Sequence, residues 1–178
     1  MQTIDDIRYD GNLYTRASSW TLLLYQQNGV SIPIHLPDAN LMSFIRVHDD
    51  ITQCQNHIGG NLGKMITLFV SEENMVDWLR NNIAVPHNLL DIKIFCQPDE
   101  QLFVRAWARR YTHRLRNTSL EIINLDTLNY KLLLFGVDHL KRLHSDFRPR
   151  SRSRRRSRRN YKCICRALAN HFWQEANN

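Results

Sequence analysis

The sequence predicts an α/β protein: a doubly wound, mostly parallel five-stranded sheet in a three-layer sandwich, then a disordered arginine-rich segment and a short C-terminal helix. Three observations carry this. Short apolar, β-rich runs alternate with amphipathic stretches between residues 20 and 147. Strands alternating with helices imply βαβ units, because parallel strands need a crossover, and right-handed crossovers favour helices on both faces. At Phe147 the composition changes abruptly to Arg and Ser.

Trp20-Thr-Leu-Leu-Leu-Tyr25 is a continuous apolar run ending at Gln26, Gln27, Asn28 and Gly29, a buried strand and then a turn. The segment 30–42 has room for a crossover helix, but Pro33 and Pro37 favour a loop. Ser43–Val47 is the second strand, and Asp49 and Asp50 mark a helix N-terminus. Lys64–Val70 is the clearest strand, and Ser71 can cap a helix whose Met75, Trp78 and Leu79 form one stripe. Leu89–Cys96 is a strand that Gln97-Pro98-Asp99-Glu100 ends. In the next helix, Leu102 or Phe103, Ala106, Trp107 and Tyr111 form the predicted apolar face. Ser119–Asn124 is the last strand, and Leu128–Leu143 a long helix with Leu132, Phe135, His139 and Leu143 on one side. The expected divisions are therefore an extension at 1–19, an α/β domain at 20–147, a basic linker at 148–160 and a helix at 161–178.

A chain of 178 residues, 43% apolar, can bury a core without staples. No run of 18 apolar residues exists, so no transmembrane helix is expected, and the acidic N-terminus lacks the apolar stretch of a signal peptide. Cys54, Cys96, Cys163 and Cys165 do not form the framework of a small secreted domain. An intracellular setting is the reading they support.

The net charge of +7 is unevenly placed. Residues 1–147 carry 14 basic and 16 acidic side chains, a net of −2; residues 148–178 carry ten and one, a net of +9. Arg148–Arg159 holds eight arginines in twelve residues, and like-charge repulsion predicts an extended, solvated segment. Guanidinium groups suit phosphate and displace condensed counterions, so nucleic acid, RNA favoured, is the expected partner. The candidate contacts are Arg148, Arg150, Arg152, Arg154, Arg155, Arg156, Arg158, Arg159 and Lys162, with Tyr161, Phe172 or Trp173 for stacking. An import receptor could read the same run, which favours the nucleus over the cytoplasm. A membrane surface is the weaker alternative. Ser151, Ser153 and Ser157 sit in Arg–Ser dipeptides, where phosphorylation would subtract charge.

No catalytic signature stands out. His57-Ile-Gly-Gly-Asn-Leu-Gly-Lys64 fails as a phosphate loop, because Ile58 replaces the first glycine, Met65 follows the lysine, and a strand comes after it. Active sites of such sheets gather at the strands' carboxyl ends, here Asp49, Asp50, Ser71, Glu72 and Cys96. Asp49 and Asp50 suit Mg²⁺ or a solvated helix start, and Cys96 suits a nucleophile or a buried thiol. Bulky Tyr25 and Phe95 at the switch point would speak against an enzyme. Cys163-Ile-Cys165 with His171 supplies at most three metal ligands. Neither a metal nor a cofactor is expected. A further alternative is protein interaction, with residues 98–116 as a basic docking helix.

The runs Thr21–Tyr25, Ser43–Val47, Met65–Val70, Asp91–Cys96 and Leu120–Ile123 resemble a receiver-like (flavodoxin-like) sandwich. Asp49-Asp-Ile-Thr-Gln-Cys54, Ile66-Thr-Leu-Phe-Val-Ser71 and Ile92-Lys-Ile-Phe-Cys96 with Trp107 are similar to a module of some large animal proteins. In those proteins it precedes tetratricopeptide or ADP-ribosyltransferase regions. A phosphate-accepting receiver would carry acids after its first strand and an aspartate after its third. Gln26 and Gln27, then Ser71 and Glu72, stand there instead, so the resemblance does not imply phosphorelay.

Overall fold

The computed structural model describes residues 2–25, 39–80, 85–115, 118–148 and 151–175, without the side chains of 171, 172 and 175. The turn after Tyr25 and the Pro33/Pro37 segment lie outside the described residues, as does Arg150. The fold is doubly wound α/β: five parallel strands in the order β2-β1-β3-β4-β5. These are β1 (Ser19–Leu24), β2 (Ile45–His48), β3 (Met65–Ser71), β4 (Leu89–Cys96) and β5 (Ser119–Asn124). The first connection runs one way along the sheet and the next three run back. Such a reversal of direction is the mark of a doubly wound sheet.

The chain forms two compact units, one of residues 19–30 and 46–128, the other of residues 1–18, 31–45 and 129–178. The first holds most of the sheet with α2 (Ile51–Gly59), α3 (Glu72–Arg80) and α4 (Gln101–Arg110). Every second strand residue, including Leu22, Leu68, Val70, Ile92 and Ile94, meets Ile58, Trp78 and Val104 in one core. The alternating residues Leu23, Phe69 and Phe95 are buried as well. Burial on both faces is why these strands read as unbroken apolar runs.

Local signals hold at most helix starts. Asp50 caps α2 by accepting from Gln53 N–H at 2.6 Å, and Ser71 Oγ accepts from Asn74 N–H at the start of α3. Met75, Trp78 and Leu79 are the buried stripe of α3, as the spacing predicts. Helix α4 corrects the reading of its apolar face. Val104 and Ala108 are buried with half-buried Trp107 and Tyr111, while Leu102 and Phe103 are exposed. Either register shares Trp107 and Tyr111, and only the packing phase of the helix separates them.

The second unit holds α1 (Gly11–Tyr14), nearly all of α5 (Leu128–Asp146) and α6 (Arg152–Glu175). Its centre is aromatic. His139 stacks on Phe135 at 5.6 Å between ring centroids, and Phe44 lies 5.6 Å and Tyr14 6.3 Å from it. Gly136 on α5 lets Phe44 and Ile164 approach the helix backbone closely.

Helix α6 overturns the expectation of an extended linker at 148–160. It begins at Arg152, nine residues before the expected start at 161, and carries the arginine run in its first two turns. Arginine is a good helix former, and here specific partners outweigh the repulsion.

Candidate nucleic-acid interface

Ser151 begins the site as a helix cap: its hydroxyl accepts from Arg154 N–H at 3.1 Å. One face of α6 then docks. Ser157 is fully buried, and Ile164, Ala167 and Leu168 continue the same stripe at i+7, i+10 and i+11. Three polar contacts flank it. Arg156 pairs with Asp10 at 2.7 Å, Arg154 Nε–H donates to His144 Nε2 at 3.0 Å, and Asn160 donates to the Tyr14 hydroxyl at 3.3 Å. Each partner lies ten or more residues away in sequence, so none is visible in the arginine run itself.

The other face is cationic. Arg152, Arg155, Arg158, Arg159, Lys162 and Arg166 are exposed, with about three cations per two turns over roughly 21 Å of helix. Exposed Trp173 lies beyond them near the helix end. The nine cations singled out by sequence therefore divide. Arg152, Arg155, Arg158, Arg159 and Lys162 face solvent, half-buried Arg154 is engaged in docking, and Arg156 pairs with Asp10 while remaining exposed. Arg148 is exposed just before the helix, and Arg150 lies outside the described residues. Arg166 was missed because it falls outside the dense run. Its four-residue spacing from Lys162 is the signal that could have found it.

Arg158 also faces a cleft of about 220 Å³ between α5 and α6, with Leu140, Lys141, His144 and Tyr161 as its other walls. Of the three serines, Ser151 is used as a cap, Ser153 is half-buried in the first turn, and Ser157 is enclosed. The Ser157 hydroxyl has no hydrogen-bond partner among the described residues. A kinase could reach it only after α6 leaves its seat.

Two of the strand-end residues, Asp50 and Ser71, have structural roles. Asp50 is a cap and Asp49 is exposed beside it. Ser71 donates to Asn74 Oδ1 at 2.6 Å. Burial, then the charges of Glu72 and Glu100, push the Cys96 thiol up to about 11, so it stays protonated at neutral pH. Burial and Glu100 push the Glu72 carboxyl up to about 7. Tyr25 and Phe95, both buried, lie 6.1 Å apart between ring centroids, one just after β1 and the other near the end of β4. Among the described residues no group of three His, Cys, Asp or Glu could hold a metal ion.

A histidine cluster on the sheet unit was not foreseen. His57 stacks on Trp20 at 5.1 Å and lies 5.3 Å from His48, while Lys64 Nζ sits 5.2 Å over the Trp20 ring. Burial, then the positive charge of His57 and Arg46, draws His48 down to about 4.

No family model, curated protein or solved structure matches the chain. Among the described residues no helix is long and apolar enough to cross a membrane.

Proposed function

We propose that this is a non-enzymatic α/β protein that binds nucleic acid, RNA in particular, through the outer face of α6. The observation that carries this reading is the ladder of Arg152, Arg155, Arg158, Arg159, Lys162 and Arg166 on a helix held from behind by Asp10, His144 and Tyr14. A docked helix presents its charges without first ordering a disordered chain, which lowers the entropic cost of binding. Guanidinium planes and exposed Trp173 suit unpaired bases, which RNA loops expose more readily than a DNA duplex does. The bulky buried rings of Tyr25 and Phe95 and the protonated Cys96 weigh against an enzyme at the strand ends.

The test is RNA affinity as a function of salt. Six contacts on a single strand give a log–log slope of roughly −4. The triple variant Arg155→Gln/Arg159→Gln/Arg166→Gln is expected to weaken binding and make the slope shallower by roughly 2. An unchanged slope sinks the reading. Equal affinity for duplex DNA removes the preference for RNA.

The same basic run supports nuclear targeting as a second role. Deleting 148–159 and following cellular location tests it, and the triple variant separates the roles. Loss of RNA binding with unchanged location would divide them.

A further inference from the structure

We infer that the outer face of α4 is a docking site for an acidic, amphipathic helix of a partner protein. Leu102 is 79% exposed and Phe103 63%, adjacent large apolar side chains at the start of a helix whose opposite face is well buried. Single exposed apolar residues are ordinary on any surface, but these two do not stand alone. At 100° per residue, Leu102, Phe103, Arg105, Ala106, Arg109 and Arg110 fall on one continuous face, and all six are exposed. Val104, Trp107, Ala108 and Tyr111 fall on the other, packed with the sheet core.

Charge complementarity selects the occupant. Among the described residues Arg105, Arg109 and Arg110 have no acidic partner. Glu100, the nearest acid before the helix, accepts from Gln97 N–H at 3.2 Å. The face is thus an apolar pair and an alanine between unpaired guanidiniums, about 12 Å long from residue 102 to 110. A nucleic acid would satisfy the arginines but leave Leu102 uncovered. A helix with leucine-like residues at i, i+3 or i+4, and i+7, flanked by Asp or Glu, satisfies both. Packing ridges into grooves gives it an interaxial distance of roughly 8–10 Å.

The site lies on a different helix from the basic ladder of α6, so its test does not depend on nucleic-acid binding. A displayed library of helix-forming 16-residue peptides is selected on the full chain and counter-selected on Leu102→Ser/Phe103→Ser. Both substitutions are at exposed positions, and thermal melting checks that the variant folds. Enriched peptides are expected to be acidic and apolar at helical spacing. Their affinity should fall at least tenfold in Leu102→Ser/Phe103→Ser and similarly in Arg105→Glu/Arg109→Glu. Absence of enrichment, or enrichment of basic peptides, overturns the proposal. Two further measurements cover the other occupants. RNA binding that is lost in the arginine variant but kept in the Leu/Phe variant assigns the face to nucleic acid and overturns the proposal. So does sedimentation showing a dimer of the full chain that Leu102→Ser/Phe103→Ser dissolves.

Discussion

A Cβ placed on Gly136 would lie 2.7 Å from both Cε1 and Cζ of Phe44, closer than side-chain contacts tolerate. Phe44 is buried against Phe135 and His139, so its ring has little room to retreat. Gly136→Ala in mid-helix would ordinarily stabilise by about 1 kcal/mol through propensity. Here overpacking reverses the sign. A net loss of about 1–2 kcal/mol is expected, read as a lower urea midpoint with an unchanged m-value. A stabilised variant would show that the ring moves freely.

The same aromatic cluster makes stability depend on acid. Burial, then the positive charge of Arg142, draws His139 down to about 3 from 6.5, against a smaller opposing effect of Asp146. Because the folded value is depressed, the unfolded chain binds the extra proton. The contribution is therefore complete above pH 6.5 and lost progressively below it. About 3 kcal/mol should be lost by pH 4.5. His48, drawn to about 4, acts in the same direction on the sheet unit. His139→Phe, followed by urea unfolding at pH 7.5 and 4.5, should flatten the dependence. An equally steep loss in the variant would remove His139 from this role.

Ser157 separates size from polarity at a buried helix seat. Its hydroxyl is enclosed and unpartnered, so Ser157→Ala should be nearly neutral. Ser157→Glu buries an unpaired carboxylate and should undock α6. Trypsin cleavage after Arg154 to Arg159 is then expected to accelerate at least tenfold, with far-UV helicity partly retained. Equal cleavage rates for the two variants would mean that Ser157 does not hold the seat.

Thiol chemistry checks the strand ends. Burial pushes Cys54 up to about 12 and Cys96 up to about 11. Iodoacetamide at pH 8 should leave both unmodified in the native protein and label both in urea. Rapid native labelling of Cys96 would revive the enzyme reading there.

Much of the fold was legible because physics acts locally on it. Leu22–Leu24, Leu68–Val70 and Ile92–Phe95 must be apolar at successive positions, since both faces of those strands are buried. Asp50 and Ser71 advertise helix starts because an orphan N–H needs a nearby acceptor. Legibility failed where two phases fit the same letters. In α4 both faces contain Trp107 and Tyr111 in part, and only packing shows that Val104 and Ala108 go inward.

The candidate interface was legible in composition and misread in form. The +9 of the last 31 residues located the cations. Repulsion within the run argued for an extended chain, because the partners that oppose it are distant in sequence. The sequence by itself determined the strand order's raw material, the helix caps and the charge asymmetry, all of which depend on neighbours a few residues apart. Tertiary structure decided which arginines face solvent and which anchor. Asp10, Tyr14 and His144 reach α6 only when the chain has folded, and contacts at such separation leave no periodic trace in the letters.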